Sequence, residues 1–478
     1  MKKKYNFDFQ PKTKPFPHQV ETIEYITEHS NVALFDEQGL GKTKIVIEAL
    51  CNNMAEKVID GALIICKKSL INNWEDEIEK HSFLKYIVLR GTPSEKGLKF
   101  MGFSHFYLIN YAGVINEVNR LKMFLKIKKM AVVLDESHKI KNPSSRTAIA
   151  ILSLRELTSK RVLISGTPIA NRPIDLWAQF YFLDSGKLLG RDFNGFKKQY
   201  ITKLPTNNLN REIEKFQKLR QVIESNSIRR LKSGVLNLPD KRYYNIYVQL
   251  QGKQRKLYEQ LKRKLYIEIK DIAGNVIIDE SSALLKKLLR LAQIASNPFL
   301  IDKSYKGIPI KFKKLDELVK NIFDRGEKLI IWSSFVENIR ILYRKYRNFG
   351  SLRLYGGIPI EKREVIVKRF VGNDKFKILV ANPSVAREGL TLTSANNAVY
   401  LDRNFNLVDY IQSQDRIHRI SQTKICNIYK LIAKDTIDEY IDEIIYKKHN
   451  LAEYIQGDIN ELQKRRYLTK EEILKILG

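Results

Sequence analysis

Short runs of apolar, often β-branched residues alternate with longer amphipathic stretches along most of the chain. Such runs are typical of buried parallel strands connected by helices. The first series comprises Val32–Phe35, Ala62–Cys66, Tyr86–Leu89, Phe106–Asn110, Ala131–Asp135 and Arg161–Ser165. The second comprises Lys328–Ser333, Leu352–Tyr355, Lys377–Ala381, Ala398–Asp402 and Ile425–Ile432. The pattern predicts the α/β class, with two doubly wound parallel-sheet units.

The stretch between the two series, from about Pro173 to Lys311, has mostly helical periodicity and is dense in Lys, Arg and Leu. It contains one strand-like run, Tyr243–Leu250. We therefore expect a first lobe over 1–239 with a helical insertion after about 173. A second lobe over 240–446 would carry a helical insertion at about 252–310, and a helical C-terminal tail would cover 447–478.

The composition of the chain indicates what class of partner the protein binds. The 478 residues are 44% hydrophobic and 29% charged, which is ordinary for a globular protein with a large core. Lys and Arg total 84 against 53 Asp and Glu, a net charge of +31 that predicts a polyanionic partner. An AT-rich coding sequence is an alternative source of part of the lysine excess. Charge alone leaves nucleic acid and anionic lipid both open.

Cysteine usage and hydropathy indicate an intracellular protein. Cys51, Cys66 and Cys426 lack the spacing of a zinc site, and three cysteines suit a reducing compartment. No apolar stretch approaches the ~20 residues that span a bilayer, and the first residues lack a signal-peptide core. We expect a soluble protein of the cytoplasm or nucleoid, or of the host cytoplasm if viral, with no membrane partner.

The segment from Asp36 to Thr43, Asp-Glu-Gln-Gly-Leu-Gly-Lys-Thr, follows a predicted strand and opens a predicted helix. A glycine-rich turn at a helix N-terminus directs backbone amides at phosphates. We expect Gly39 and Gly41 to cradle the phosphates of ATP, Lys42 to reach the β- and γ-phosphates, and Thr43 to bind Mg²⁺. Asp36 stands where the strict pattern has glycine, so this segment alone is a weak signal.

A second acidic element strengthens the prediction. Val132-Val133-Leu134 is followed directly by Asp135 and Glu136, about 90 residues after Thr43. Asp135 would hold Mg²⁺ through water, and Glu136 would orient and deprotonate the attacking water. An exposed acidic turn is the alternative interpretation, and the preceding Gly-Lys-Thr argues against it.

A third element places Arg416 and Arg419 three residues apart, on one face of a predicted helix. Such residues can act as arginine fingers that neutralise transition-state charge on the γ-phosphate. The alternative is a solvated arginine face paired with Asp415.

Together these motifs resemble, in order and over roughly Pro17 to Tyr446, the Swi/Snf-type double-stranded DNA translocases of helicase superfamily two. The resemblance implies that Gln19 reads adenine and that Gln412 acts with the two arginines. It is carried further by Ser69–Glu77 (Ser-Leu-Ile-Asn-Asn-Trp-Glu-Asp-Glu), the Asp-Glu-x-His box at Asp135–His138, Ser165–Asn171, Arg229-Arg230 and Ser333 with Phe335.

One loop departs from the family pattern. Where many members have Ala-Gly-Gly-x-Gly-Leu-Asn-Leu, Val385–Leu392 has Ala386 and Arg387 in place of two glycines. Gly389 is retained, and the resemblance implies a nucleotide contact there. The form is similar to the annealing-helicase branch and to compact prokaryotic or viral members.

The resemblance implies two RecA-like lobes, ATP and Mg²⁺ as cofactors, and a DNA-dependent ATPase that moves along duplex DNA. A strand-separating helicase or RNA-dependent ATPase of the same superfamily is the alternative within enzymes. A non-catalytic DNA-binding scaffold is the alternative from another class, and a motor subunit of a larger complex is a third possibility.

Overall fold

A computed structural model describes residues 11–200, 209–270 and 282–461. The helices are α1 Pro17–Glu28, α2 Lys42–Ala55, α3 Ile71–His81, α4 Pro93–Met101, α5 Tyr111–Ile127, α6 Arg146–Leu152, α7 Trp177–Asp184, α8 Phe193–Tyr200, α9 Leu209–Ser225, α10 Gly252–Lys270, α11 Ser282–Ser296, α12 Ile310–Asp324, α13 Val336–Lys345, α14 Ile360–Gly372, α15 Leu407–Gln414 and α16 Ile437–Ile455.

The strands are β1 Asn31–Leu34, β2 Gly61–Cys66, β3 Tyr86–Val88, β4 Phe106–Asn110, β5 Met130–Asp135, β6 Lys160–Ile164, β7 Ser227–Ile228, β8 Lys241–Val248, β9 Leu329–Trp332, β10 Ser351–Leu354, β11 Ile378–Ala381, β12 Asn397–Tyr400 and β13 Cys426–Ala433. The described part of the chain forms two compact units. The first contains residues up to 237 together with 452–461, and the second contains 238–451.

The first unit is built on a parallel sheet with the strand order β3-β4-β2-β5-β6-β1-β7. All six predicted strands of the first series are present. β7 was not predicted, because two residues show no periodicity, yet it pairs with β1 through Ala33 and Leu34. Trp74 and Ile78 of α3 pack in the same apolar core as Val133 of β5 and Val162 of β6.

The second unit is a parallel sheet with the order β10-β11-β9-β12-β13-β8. The strand-like run near Tyr243 is β8, at the edge beside β13. Along β9, Ile330 and Trp332 pack in one apolar cluster while Leu329 and Ile331 pack in another. Because successive strand residues face opposite sides, both faces of this sheet are covered, and the predicted α/β class with two doubly wound sheets is confirmed.

Helices α7, α8 and α9 follow residue 173, and α10 and α11 lie within 252–310. Residues 201–208 and 271–281 of the predicted insertions, and 462–478 of the predicted tail, lie outside the described residues.

In the described tail, α16 ends at Ile455 and Gly457 adopts φ +81°. That positive φ is the left-handed conformation that favours glycine, and a Cβ there would also displace the Glu224 carboxylate, whose Oε1 would lie 2.2 Å away. No helix in the described ranges combines the length and hydropathy needed to cross a bilayer.

Candidate nucleotide-binding site

Three adjacent strands bring the predicted nucleotide motifs to one edge of the first sheet. β6 lies between β1 and β5, and Ile164 is in register with both Leu34 and Asp135. The phosphate loop, Asp36–Thr43, follows β1, and the acidic pair begins with Asp135, the last residue of β5. Both therefore begin at the same level of the sheet. This is the carboxyl edge, where open α/β sheets bind their ligands.

Two glycines shape the phosphate loop. Gly39 and Gly41 have φ +94° and +78°, and Gly41 is the residue that caps the N-terminus of α2. A Cβ at Gly41 would lie 2.3 Å from Gln19 Nε2, so any side chain there would collide with Gln19. Gln19 Nε2 donates to the Leu40 carbonyl at 3.2 Å. The structure thus brings Gln19, Gly39 and Gly41 together.

Lys42 lies between the loop and the acidic pair. Its Nζ donates to the carbonyls of Asp36 at 2.7 Å and Glu37 at 3.0 Å. Burial lowers the pKa of Lys42 to about 8, although the nearby carboxylates of Asp36, Glu136 and Asp135 act in the opposite direction. The ammonium group is therefore within electrostatic reach of both predicted catalytic carboxylates.

Asp36, which replaces the first glycine of the strict motif, is fully buried. Neither carboxylate oxygen has a hydrogen-bond partner among the described residues, and Arg230 Nη1 lies 3.9 Å from Oδ2. Burial raises the pKa of Asp36, against the influence of Lys42 and Arg230. The neighbouring Arg229 donates to the carbonyls of Phe35 at 2.6 Å and Gly166 at 3.3 Å, which ties the loop to the end of β6.

Glu136 adopts φ +54°, a left-handed conformation that costs energy in a non-glycine residue and is often found at functional sites. Its Oε1 lies 3.9 Å from Lys67 Nζ, and its Oε2 lies 3.2 Å from His138 Nδ1. Burial favours the neutral carboxyl, but Lys67 and His138 outweigh it and hold the pKa of Glu136 below its ordinary value. Glu136 is therefore ionised at neutral pH.

Asp135 is held at two points. Trp74 Nε1 donates to Oδ2 at 2.9 Å, and the Tyr111 hydroxyl donates to the Asp135 carbonyl at 2.8 Å. Burial and then the Glu136 charge raise the pKa of Asp135 to about 6, and the Trp74 hydrogen bond opposes both. Periodicity and motif spacing could not reveal Lys67, Trp74 or Tyr111 as neighbours of the acidic pair.

The acidic box contacts the turn that follows β6. His138 Nδ1 lies 3.4 Å from Ser165 Oγ, and Ser165 Oγ accepts from Thr167 N at 3.1 Å. The Ser137 hydroxyl donates to Gln179 Oε1 at 2.6 Å, while Gln179 Nε2 donates to the Pro168 carbonyl at 2.8 Å. A rearrangement at Glu136 could therefore reach the Ser165–Asn171 turn through hydrogen bonds.

The second unit brings the four remaining predicted residues together. The predicted helix face for Arg416 and Arg419 is wrong, because α15 ends at Gln414 and both arginines lie in the turns that follow it. Arg416 Nε donates to the Gln412 carbonyl at 3.0 Å, and its Nη1 donates to the Leu390 carbonyl at 3.2 Å. Arg419 Nη1 donates to the Gly389 carbonyl at 3.3 Å and to Thr391 Oγ1 at 3.0 Å. Gln412 and Arg416 are buried, whereas Arg419 is half-buried. The side chains of Ala386 and Arg387 lie outside the described part of this loop.

The donor set in the first unit suits magnesium. A Thr43 hydroxyl and an Asp135 carboxylate would supply oxygen ligands, and Mg²⁺ commonly takes one or two carboxylates plus substrate phosphates. No cluster of three or more His, Cys, Asp or Glu side chains able to hold a metal occurs among the described residues, so a protein-only cage is absent there. Asp135 retains acceptor capacity beyond its bond to Trp74.

A parallel sheet with a Gly-Lys-Thr loop at its carboxyl edge is the arrangement of the P-loop nucleotide-binding proteins. The SNF2-related domain model matches residues 18–300, and the helicase conserved C-terminal domain model matches residues 310–421. The chain belongs to the SNF2-related family, and the family predicted from its motifs is confirmed.

Named relatives extend this comparison. The chain is 28% identical to the ISWI chromatin-remodeling complex ATPase ISW1 of Saccharomyces cerevisiae, over 94% of this chain and 41% of that protein. It is 28% identical to the putative ATP-dependent helicase/translocase YwqA of Bacillus subtilis, over 93% and 48%. The solved Sulfolobus solfataricus SWI2/SNF2 ATPase core in complex with dsDNA is 27% identical, with 95% of each chain covered and a TM-score of 0.45. The chain spans less than half the length of the two curated relatives.

Proposed function

We propose that this protein is an ATP-dependent motor that translocates on double-stranded DNA and remodels DNA or DNA–protein complexes. The observation that carries the proposal is the position of Lys42 within reach of both Asp135 and Glu136, at the carboxyl edge of the first sheet. Family membership supports it. So do the names of its relatives, one an ATPase of a remodelling complex and one an ATP-dependent helicase/translocase.

In this proposal the first unit binds ATP. Gln19 reads the adenine, and the amides around Gly39 and Gly41 bind the phosphates at the start of α2. Lys42 exchanges the carbonyls of Asp36 and Glu37 for phosphate oxygens, which an ammonium group with several donors can do by side-chain rotation. Arg229 keeps the loop in place during this exchange through its bond to the Phe35 carbonyl.

Thr43 and Asp135 would hold Mg²⁺. When bound, the ion supplies neutralisation of the charge on the β- and γ-phosphates. Glu136 orients the attacking water and receives its proton as the new oxygen–phosphorus bond forms at the γ-phosphate and the bond to the leaving ADP breaks. The carboxylate of Glu136 thus acts both as the base and as the group that orients the water.

Arg416 and Arg419 stabilise the charge of the transition state, and Gln412, in the last turn of α15, accepts from Arg416 through its carbonyl. Gly389 accepts from Arg419 through its carbonyl, so its place in the nucleotide contact is to hold that guanidinium group.

The net charge of +31 supports duplex DNA as the partner. Exposed basic side chains occur on α10, at Lys253, Lys256, Arg263 and Lys264. Contacts to phosphates carry little sequence information, so we expect weak sequence preference. If about 6 to 10 phosphates are contacted, affinity should fall by ~10³ to 10⁵ between 50 and 200 mM salt.

The decisive measurement is ATP hydrolysis without nucleic acid and with single-stranded DNA, duplex DNA or RNA. We expect the strongest stimulation by duplex DNA, and the Lys42→Ala variant from the same preparation controls for contaminating ATPases. Strongest stimulation by RNA or single strands would favour the alternative helicase class. No hydrolysis under any condition, with duplex binding intact, would favour the non-catalytic scaffold.

Movement is tested separately with a triplex and a forked duplex at low salt. A motor that tracks along intact duplex should displace the third strand with ATP and leave the fork largely paired. Efficient unwinding of the fork without triplex displacement would overturn the translocase proposal.

A further inference from the structure

Trp74 belongs to the Ser69–Glu77 segment, which resembles the SNF2 family but has no role in the mechanism above. It lies on α3 and is fully buried in the core of the first unit, near Leu70, Ile71 and Ile78. Its indole N–H points out of this apolar cluster and donates to Asp135 Oδ2 at 2.9 Å, across 61 positions of sequence. A large apolar side chain therefore ends in a contact with the predicted magnesium ligand.

In this contact the indole can act only as a hydrogen-bond donor. An indole has one donor and no acceptor, so Trp74 can fix a carboxylate but cannot accept from a metal-bound water. Among the described residues, Trp74 is the single donor to the Asp135 carboxylate. The Tyr111 hydroxyl fixes the backbone of the same residue by donating to its carbonyl at 2.8 Å. The carboxylate is thus oriented through Oδ2, while its remaining acceptor capacity stays available.

We propose that Trp74 is a positioning residue that orients the Asp135 carboxylate for Mg²⁺. This inference rests on the proposed function, because it takes Asp135 as the magnesium ligand. Removal of a residue that hydrogen-bonds to a metal ligand typically lowers metal affinity or activity by ~10 to 100-fold. Burial of the indole in the core makes the orientation rigid, since the ring cannot turn without displacing its neighbours.

The test measures how Mg²⁺ changes the affinity for the non-hydrolysable nucleotide AMP-PNP, by calorimetry with a series of Mg²⁺ concentrations and with EDTA. Trp74→Phe keeps most of the ring and removes the N–H. We expect its affinity in EDTA to equal that of the unchanged protein. Its half-saturating Mg²⁺ concentration should rise about 10-fold or more.

Trp332 provides a matched control. It is also fully buried, on β9, and its Nε1 has no hydrogen-bond partner among the described residues. Trp332→Phe makes the same chemical change without breaking a bond, and we expect its magnesium dependence to be unchanged. If Trp74→Phe does not fold, 3-benzothienylalanine at position 74 replaces the N–H by sulfur in a ring of nearly the same shape.

The outcomes separate the inference from the function on which it depends. If the unchanged protein binds AMP-PNP with Mg²⁺ but Trp74→Phe shows the same magnesium dependence, the positioning role is wrong. Equal losses with Mg²⁺ and with EDTA would make Trp74 structural only. In an Asp135→Ala background, the Trp74→Phe effect should disappear, because the carboxylate that accepts the indole N–H is gone. Failure of the unchanged protein to bind AMP-PNP under any condition would instead refute the proposed function.

Discussion

Asp135 of the first unit and Asp402 of the second are both aspartates at the carboxyl ends of sheet strands, β5 and β12, but their surroundings differ. The Asp402 carboxylate accepts four hydrogen bonds. Ser333 Oγ, Ser296 Oγ and Asn338 Nδ2 donate to Oδ2 at 2.7, 2.8 and 3.2 Å. The backbone N of Ser334 donates to Oδ1 at 2.6 Å.

Asp135, in contrast, has a single described donor to its carboxylate, the indole of Trp74. A carboxylate offers about four acceptor positions. Asp402 has donors from the protein on both oxygens, three on Oδ2 and one on Oδ1, and this carboxylate is buried with 2% exposure. The comparison teaches that position at a strand end does not make an aspartate functional. Unused acceptor capacity next to Lys42 and Glu136 distinguishes Asp135 from Asp402.

The largest expected effect is at Arg416 and Arg419, the two residues of the second unit that the proposal assigns to stabilisation of the transition state. Arg419→Ala should lower DNA-saturated turnover by ~10³ to 10⁵, because a finger acts on transition-state charge. Steady-state hydrolysis at saturating ATP and duplex measures this, and fluorescence anisotropy should show a modest loss of DNA affinity. Arg416→Ala should act similarly.

Arg416 is buried and bonded to two backbone carbonyls, so its variant also needs an unfolding measurement. A variant of either arginine that loses duplex affinity but keeps its DNA-saturated turnover would place that residue on the DNA surface. The assignment to catalysis would then be incorrect for that arginine.

A somewhat smaller effect is expected at Glu136. Glu136→Gln keeps the shape of the side chain and removes the base, so turnover should fall by ~10² to 10⁴. AMP-PNP affinity should stay within a few-fold of the unchanged protein, whereas Lys42→Ala should also weaken nucleotide binding. Hydrolysis by Glu136→Gln near the original rate would show that another group activates the water.

The sequence predicted the elements that periodicity encodes. Val132, Val133 and Leu134 identify β5, and the acidic pair that follows identifies its carboxyl end. It could not identify β7, because Ser227–Ile228 is too short to show a period and is ordered by pairing with β1. The role of Arg229 in tying the phosphate loop to the end of β6 depends on that pairing.

The neighbours of the acidic pair were unpredictable for a different reason. These neighbours follow other strands of the sheet: Lys67 and Trp74 come after β2, and Tyr111 comes after β4. Their contacts to Asp135 and Glu136 join positions far apart in sequence. Only the order of strands in the sheet, β4-β2-β5, brings them together. The same holds for Asp402, whose donors come from α11, α13 and the end of β9.

A stability effect should distinguish Asp402 from Asp135. Asp402→Asn replaces an acceptor oxygen by an amide that faces donors, and we expect a loss of about 3 kcal/mol in the free energy of unfolding. Urea unfolding measures it, with Asp324→Asn, an exposed aspartate of the same unit, expected to change stability by less than about 0.5 kcal/mol. Unchanged stability combined with lost turnover would mean that Asp402, too, is a functional carboxylate.

The smallest predicted effect concerns one of the four donors to Asp402. Ser296→Ala removes the 2.8 Å hydrogen bond to Asp402 and the 2.9 Å hydrogen bond that Ser296 Oγ accepts from Asn338 Nδ2, and it should cost about 1 to 2 kcal/mol in the free energy of unfolding. Ser304→Ala is the matched control, because Ser304 Oγ donates to Asp302 at 2.6 Å on the exposed surface, where water replaces the bond at little cost. In the Asp402→Asn background the Ser296→Ala loss should become smaller, since the bond between the two residues is already changed and the bond from Asn338 remains. Urea unfolding of the four proteins in the cycle measures this coupling. Additive losses would show that Ser296 stabilises the unit through other contacts, and that Asp402 is less completely enclosed by its donors than the geometry indicates.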